Sequence, residues 1–121
     1  MKLVKVHSDE RRSISVLQNL LKDKKEFSII EIKPGKALGG CLHENNEHFI
    51  VLEGEVEVFI GTMKVICLEG YKGVFPLKTA HGFYSEKGAI VCEFGITEEE
   101  KKNSLKDETM LKEINEINNI E

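Results

Sequence analysis

The fold is decided by the stretch GGCLHENNEH, residues 39–48, in which a cysteine, a histidine and a glutamate follow two glycines. Successive side chains of a β-strand point to opposite faces, so Cys41 and His43 share one face of an extended segment. On a helix these two residues diverge, and the two glycines and Asn45-Asn46 also disfavour a helix. We therefore predict an extended segment that gathers sulfur, imidazole and carboxylate donors, a set that suits a metal ion.

The composition is that of an ordinary globular domain, with 121 residues, 40% of them hydrophobic and 31% charged. A single domain of this length buries roughly two-thirds of the surface of its unfolded chain. The net charge of −4 gives no electrostatic case for binding nucleic acid or an anionic membrane. We expect neither as a partner.

The cysteines bear on the cellular compartment. Cys41, Cys67 and Cys92 are an odd number at wide spacing, which suits reduced thiols better than a disulfide framework. No apolar run reaches the length of a signal-peptide core or of a transmembrane helix. We therefore predict a cytoplasmic protein, with Cys67 and Cys92 buried in its core.

Up to residue 96 the sequence consists of short β-type runs separated by glycine turns. Regular short strands of this kind predict a β-sandwich or barrel, which we assign to residues 1–96. The runs rich in Ile, Val and Phe are FSIIEI (27–32), HFIVLE (48–53), EVEVFI (55–60), KVICLE (64–69), GVFPL (73–77), HGFYS (81–85) and AIVCEFGI (89–96).

The remaining residues, 97–121, have a different pattern. Thr97 followed by Glu100 is a helix-capping sequence, and Ser104 with Asp107 offers a second helix start. Apolar residues then recur at helical spacing, which predicts an amphipathic C-terminal helix packed on the barrel or on a partner. Residues 15–26 fit a strand, a short helix, or one followed by the other.

Two motifs resemble those of the cupin superfamily. The first has Gly35, Cys41, His43, Glu47 and Gly54 at the spacing of the first cupin motif, with cysteine where the family has histidine. The second has Gly70, Pro76, His81 and Ser85 at the spacing of the second motif, with Lys78 in place of a glycine and Ser85 in place of an asparagine. The resemblance implies an all-β double-stranded β-helix, or jelly roll.

In cupins the ligands of the two motifs converge on one divalent metal inside the barrel. The resemblance therefore implies that His43, Glu47 and His81 are metal ligands, with Cys41 at the fourth ligand position. Thiolate at Cys41 would favour zinc or copper, and it would fill the shell of a four-coordinate zinc. Cys41 thus either accompanies a metal of higher coordination number or does not bind it, and the metal is Zn, Fe, Mn, Ni or Co.

Further residues are candidates for the pocket. Phe83 and Ser85 alternate with His81 on one strand face. Glu93 stands in an apolar run, either on the surface of an edge strand or buried against the cavity with a raised pKa, where it serves as a catalytic acid or base. SDERRS (8–13) is interpreted as a charged surface turn. It shares Asp-x-Arg with nucleotide-sugar epimerase cupins, but Arg12 replaces the glycine that follows.

The fold alone does not define an activity. Residues 33–54 are similar to cupin domains of capsule and surface-polysaccharide pathways, and residues 81–95 to sugar-isomerase-like cupins. This resemblance implies a sugar or nucleotide-sugar isomerase or epimerase with a carbohydrate-like ligand. The alternatives are a non-haem iron dioxygenase and a non-catalytic protein that binds sugar or metal. The resemblance also implies a homodimer.

Overall fold

The computed structural model describes residues 2–18 and 25–119, which form two antiparallel sheets and two helices. The strands are β1 (Lys2–Ser8), β2 (Arg12–Gln18), β3 (Lys25–Ile32), β4 (Lys36–Leu42), β5 (Glu47–Gly54), β6 (Val56–Ile60), β7 (Met63–Cys67), β8 (Lys72–Phe75), β9 (His81–Ser85), β10 (Ala89–Thr97) and β11 (Leu105–Lys106). The helices are α1 (Glu98–Lys102) and α2 (Glu108–Asn118).

The two sheets enclose a single apolar core. One has the strand order β1-β2-β3-β10-β5-β8 and the other β11-β4-β9-β6-β7. Alternating residues of both sheets meet between them, with Phe49 and Val91 from the first and Val58 and Phe83 from the second. This arrangement confirms the predicted all-β jelly roll with a C-terminal helix.

All seven predicted β-type runs form strands, and among the described residues β1, β2, β4 and β11 lie outside those runs. The extended segment predicted over residues 39–48 is divided, because β4 ends at Leu42, residues 43–46 are a connection and β5 begins at Glu47. Residues 12–18 form β2, and residues from Lys25 onward form β3. The undecided segment 15–26 is therefore a strand at both of its described ends, and its middle, 19–24, lies outside the described residues. Strand β10 lies between β3 and β5, so Glu93 is not on an edge strand.

A close approach of two glycines positions one edge of the site. The pairing of β4 with β9 shifts register between Gly39 and Cys41, which places Cys41 opposite His81. Gly39 has a φ of +121°, and a Cβ there would lie 2.4 Å from the Cα of Gly82. Only glycine fits at position 39, because any side chain would push the two strands apart.

The residues after β10 cover the barrel. Thr97 caps α1 as predicted, its Oγ1 accepting a hydrogen bond from the Glu100 amide at 3.1 Å. Helix α2 is capped by Asp107, not Ser104, and it packs Met110 and Ile114 against the five-stranded sheet. Within the described part of the chain, no helix has the length and apolarity needed to cross a membrane.

Candidate metal centre

The three predicted histidine and glutamate ligands meet at one end of the barrel. His43 directly follows β4, Glu47 begins β5 and His81 begins β9. All three are buried, with relative exposures of 8%, 1% and 5%. The position of a side chain at a strand end is well defined, because the hydrogen bonds of the sheet fix the backbone that carries it.

The distances within this set are short. One ligand atom from each residue lies within 4.8 Å of the others. Nε2 of His43 is 3.3 Å from Oε1 of Glu47, and Nε2 of His81 is 3.1 Å from the same oxygen. We call His43, Glu47 and His81 the donor triad.

Hydrogen bonds on the far side of each imidazole orient the triad. Nδ1 of His81 lies 3.5 Å from the carbonyl oxygen of Thr79, which can only accept, so Nδ1 carries the proton. Nδ1 of His43 lies 2.8 Å from Oγ of Ser104, which donates its own proton to the Lys101 carbonyl at 2.6 Å. In both neutral rings the lone pair is therefore on Nε2 and faces Glu47.

Glu47 shows that this geometry fits a cation. Both of its carboxylate oxygens are buried and have no hydrogen-bond partner, while two imidazole lone pairs face one of them. Burial alone would raise the pKa of Glu47, but in the metal-free protein hydrogen bonds from the imidazoles in their protonated form, with the charge of Lys101, hold it well below its ordinary value. A divalent cation within the donor triad would satisfy all three acceptors at once.

Phe75 fixes the plane of one ligand. Its ring stacks on the imidazole of His81, with centroids 4.1 Å apart and an interplanar angle of 12°. Phe75 is itself buried and lies opposite Glu47 in the pairing of β5 with β8. The apolar neighbour limits rotation of His81 and leaves Nε2 directed toward the carboxylate.

A second carboxyl group, Glu93, lies beside the triad. Its Oε2 is 3.9 Å from Nε2 of His81, and its Oε1 is 3.9 Å from Nζ of Lys101. Lys101 also lies 3.5 Å from Oε2 of Glu47 and 3.4 Å from Oγ of Ser28. Burial, and then the charge of Glu47, raise the pKa of Glu93. The buried placement of Glu93 is thus the second of its two predicted alternatives.

Cys41 lines the same cavity but is not part of the donor triad. Among the described residues, only His43, Glu47 and His81 are grouped closely enough to hold one ion. Burial raises the pKa of the Cys41 thiol, although Lys106 and Arg12 act in the opposite direction. The role of Cys41 as a fourth ligand stays a prediction.

The cavity next to the triad has a volume of about 190 Å³. Phe83 is among the residues that line it. Ser85 does not line it: its hydroxyl donates to the Glu55 carbonyl at 2.9 Å, farther along the strand. The polar cavity-lining residues that sequence reasoning missed are Arg12, Ser28, Lys101 and Ser104.

Comparison with solved structures identifies the architecture. The chain is similar to an RmlC-like cupin from Shewanella frigidimarina, with 17% identity, a TM-score of 0.64 and coverage of 77% of this chain and 80% of that one. The chain has the cupin fold.

Two further cupin-fold structures agree. A cupin-2 domain from Rhodospirillum rubrum is 15% identical with a TM-score of 0.63, covering 84% of this chain and 79% of that one. A protein with a double-stranded β-helix domain from Klebsiella pneumoniae is 17% identical with a TM-score of 0.64, covering 78% and 84%. No family model and no curated protein matches the sequence.

Proposed function

We propose that this cupin-fold protein is a metal-dependent isomerase or epimerase of a small carbohydrate, acting by proton transfer next to a carbonyl. The observation that carries the proposal is the pairing of a buried donor triad with the separate carboxyl group of Glu93 in one cavity. In such a site a cation held by the triad would polarise the carbonyl, and the separate carboxyl group would transfer the proton.

The donor triad would hold a divalent cation, which supplies Lewis-acid polarisation of a carbonyl oxygen and makes the adjoining C–H more acidic. The Glu93 carboxylate accepts the proton from that carbon. It returns the proton to the former carbonyl carbon, while the hydroxyl proton of the first carbon moves to the carbonyl oxygen. The carbonyl has then shifted by one carbon with no net change of atoms or electrons. Delivery of a proton to the opposite face of the same carbon, by a second acid or after the planar intermediate has turned over, would give the epimer.

Lys101 supports this role of Glu93. Its ammonium lies 3.9 Å from Glu93 and 3.5 Å from Glu47. The positive charge favours the carboxylate form that abstracts a proton and opposes the effect of burial.

The size of the cavity favours a small sugar over a nucleotide sugar. Ligand sites commonly have volumes of about 300–1,000 Å³, and this cavity, at about 190 Å³, lies below that range. A molecule of a few carbons matches this volume, whereas a nucleoside diphosphate would extend beyond the cavity into solvent.

Solvent exchange tests the proposal. Protein loaded in turn with zinc, manganese, iron, nickel or cobalt is incubated in deuterium oxide with small aldoses and ketoses, and deuterium at carbon is followed by NMR. We expect exchange that depends on metal and is lost in Glu93→Gln. Absence of exchange for every substrate and metal would count against an isomerase or epimerase.

A second candidate is a non-haem iron dioxygenase. The specific observation in its favour is the composition of the donor triad, since two histidines and one carboxylate are the ligand set of such oxygenases. Oxygen uptake by the iron-loaded protein with a small thiol, diketone or catechol would support it. Full metal occupancy without turnover would instead indicate a non-catalytic binding protein.

We also propose a cytoplasmic homodimer. Cys41, Cys67 and Cys92 are all free thiols, which supports a reducing compartment.

The edge strands β7 and β8 expose apolar side chains, including Val65 and Val74, whose relative exposures are 42% and 43%. These exposed apolar residues support burial of the edges against a second copy. Light scattering of the wild type and Val65→Lys tests the dimer; a monomeric wild type would exclude it.

A further inference from the structure

A guanidinium group shares the cavity of the donor triad. Arg12 lines that cavity, although it comes from β2 at the far side of the six-stranded sheet. In the pairing of β2 with β3, Arg12 lies directly opposite Ile32, whose side chain is buried in the core. Paired residues of an antiparallel ladder project from the same face, so Arg12 projects from the inner face of the sheet.

The turn before β2 separates Arg12 from the other charges around it. Oδ1 of Asp9 accepts hydrogen bonds from the backbone amides of Arg11 and Arg12, at 2.7 and 3.0 Å. The other carboxylate oxygen of Asp9 is held by the side chains of His7 and Arg11, at 2.6 and 3.1 Å. The predicted surface turn therefore holds for Asp9 and Arg11, and Arg12 alone enters the cavity.

The guanidinium of Arg12 makes no direct ion pair. Among the side chains that the structure describes, no carboxylate lies at ion-pairing distance from it, and Asp9 and Glu93 attract it only from farther away. Its Nε is buried without a hydrogen-bond partner. Burial lowers the pKa of Arg12, but a guanidinium stays charged in proteins. A partly buried charge with no direct ion pair and an unpaired buried N–H is costly, so the site favours an anionic ligand beside Arg12.

We propose that Arg12 binds the carboxylate of the ligand, so that the substrate is a small keto or hydroxy acid. This inference rests on the proposed function, because it assigns the carbonyl end of the same molecule to the donor triad. Lys101 already lies within 4 Å of Glu47 and Glu93. Of the two cationic side chains that line the cavity, we therefore assign Arg12 to the anionic group of the ligand.

A carboxylate fits better than a larger anion. The guanidinium presents parallel N–H donors that match a carboxylate in a two-point contact. The cavity of about 190 Å³ leaves room for a chain of a few carbons between that contact and the triad.

Matched pairs of ligands test the proposal. Binding of pyruvate, acetoacetate and levulinate to zinc-loaded protein is measured by calorimetry, each acid against its uncharged methyl ester. The carboxylate lies progressively farther from the ketone in this series. We expect at least one acid to bind about tenfold or more tightly than its ester. We expect Arg12→Gln to abolish that preference and leave ester binding unchanged, and Arg12→Lys to retain part of it.

Arg11→Gln is the matched control. It removes the same charge from the neighbouring position, where the side chain pairs with Asp9 outside the cavity. Thermal unfolding of each variant establishes that it is folded. Equal binding of acid and ester in all three pairs, or an equal effect of the Arg11 and Arg12 variants, would overturn the inference.

A second measurement separates this inference from the proposed function. The Nε–H resonance of Arg12, assigned by its loss in Arg12→Gln, is followed by NMR as the acids are added to metal-free protein. If the protein fails to bind any metal but the acids still shift this resonance, the metal-dependent function is overturned and the anion site is retained. If the protein binds zinc but shows no Arg12-dependent preference for acids, the anion site is overturned and the metal site is retained.

Discussion

Oγ of Ser104 lies 2.8 Å from Nδ1 of His43, although 61 residues separate them in the chain. The contact sets the tautomer of a metal-ligand candidate from a segment outside both cupin motifs. We expect Ser104→Ala to weaken zinc binding about 10- to 100-fold, the usual effect of losing a group that orients a metal ligand. Competition with a chelator measures the affinity, and Ser104→Thr, which keeps a hydroxyl, serves as the control. Equal affinities for wild type and Ser104→Ala would contradict the assigned role.

Stability of the metal-free protein depends on the protonation of His81. Burial lowers the pKa of this imidazole, but hydrogen bonding to Glu47 and the charges of Glu93 and Glu47 raise it above its ordinary value overall. A raised folded-state pKa adds stability that is present below the unfolded value, about 6.5, and is lost as pH rises through the folded value. We expect the free energy of unfolding in urea to fall with rising pH above about 6.5.

Two comparisons sharpen this test. The pH dependence should diminish in His81→Gln and persist in His48→Gln, whose ring stacks on Phe94 away from the triad. Zinc should reverse the trend, since binding requires neutral imidazoles and strengthens with pH. A pH dependence unchanged in His81→Gln would assign it to another group.

The buried carboxyl group of Glu93 is expected to lower the free energy of unfolding of the metal-free protein. Its raised pKa makes the carboxylate unfavourable in the metal-free fold at pH values above the ordinary 4.5 of glutamate. Glu93→Gln should therefore stabilise the metal-free protein by about 1–2 kcal/mol near neutral pH and by little in acid. Urea unfolding at both pH values gives the difference. The exposed Glu53→Gln is the control, and a Glu93→Gln protein less stable than the wild type would refute the argument.

Lys78 adopts a left-handed backbone conformation, with a φ of +56°, at the position where the cupin motif has glycine. Its amide donates to the His43 carbonyl at 2.6 Å, so the turn supports the site. We expect Lys78→Gly to stabilise the protein by about 0.5–1 kcal/mol, because strain of about 1–2 kcal/mol is relieved and about 0.4–1 kcal/mol of chain entropy is added. Thermal unfolding measures the change. Lys72→Gly, within strand β8, should instead destabilise by a similar amount.

Cys41 provides a test of the first coordination shell. If its sulfur binds the metal, cobalt-loaded protein will show a thiolate-to-metal charge-transfer band in the near ultraviolet, and Cys41→Ser will remove it. Cys67→Ser controls for the loss of a thiol from the core, where Cys67 is buried. The same spectrum in wild type and Cys41→Ser would place the sulfur outside the shell.

The donor triad was predicted from the resemblance to the two cupin motifs, whose fixed spacings place His43, Glu47 and His81 close to strand ends. Glu47 and His81 lie in different sheets, so the local alternation of strands alone does not bring them together. The limits of strand β4 were harder to predict than its extended conformation, since Gly39 and Gly40 have low strand propensity and are required by the close approach of neighbouring elements.

Arg12, Lys101 and Ser104 could not be found in this way. Each reaches the cavity from an element whose position is set only when the whole barrel has closed, and no periodicity marks it. The run of charges around Arg12 has the composition of a solvated turn, and only the register of β2 against β3 distinguishes the one arginine that faces inward.

The segment that follows β10 therefore couples the metal site to the packing of residues outside both motifs. Ser104, between α1 and α2, holds Nδ1 of His43, and Lys101 of α1 lies beside Glu47 and Glu93. Detachment of this segment from the barrel would remove the hydroxyl that orients one imidazole and the ammonium that offsets two buried carboxylates, while the three strand-borne donors stayed in place.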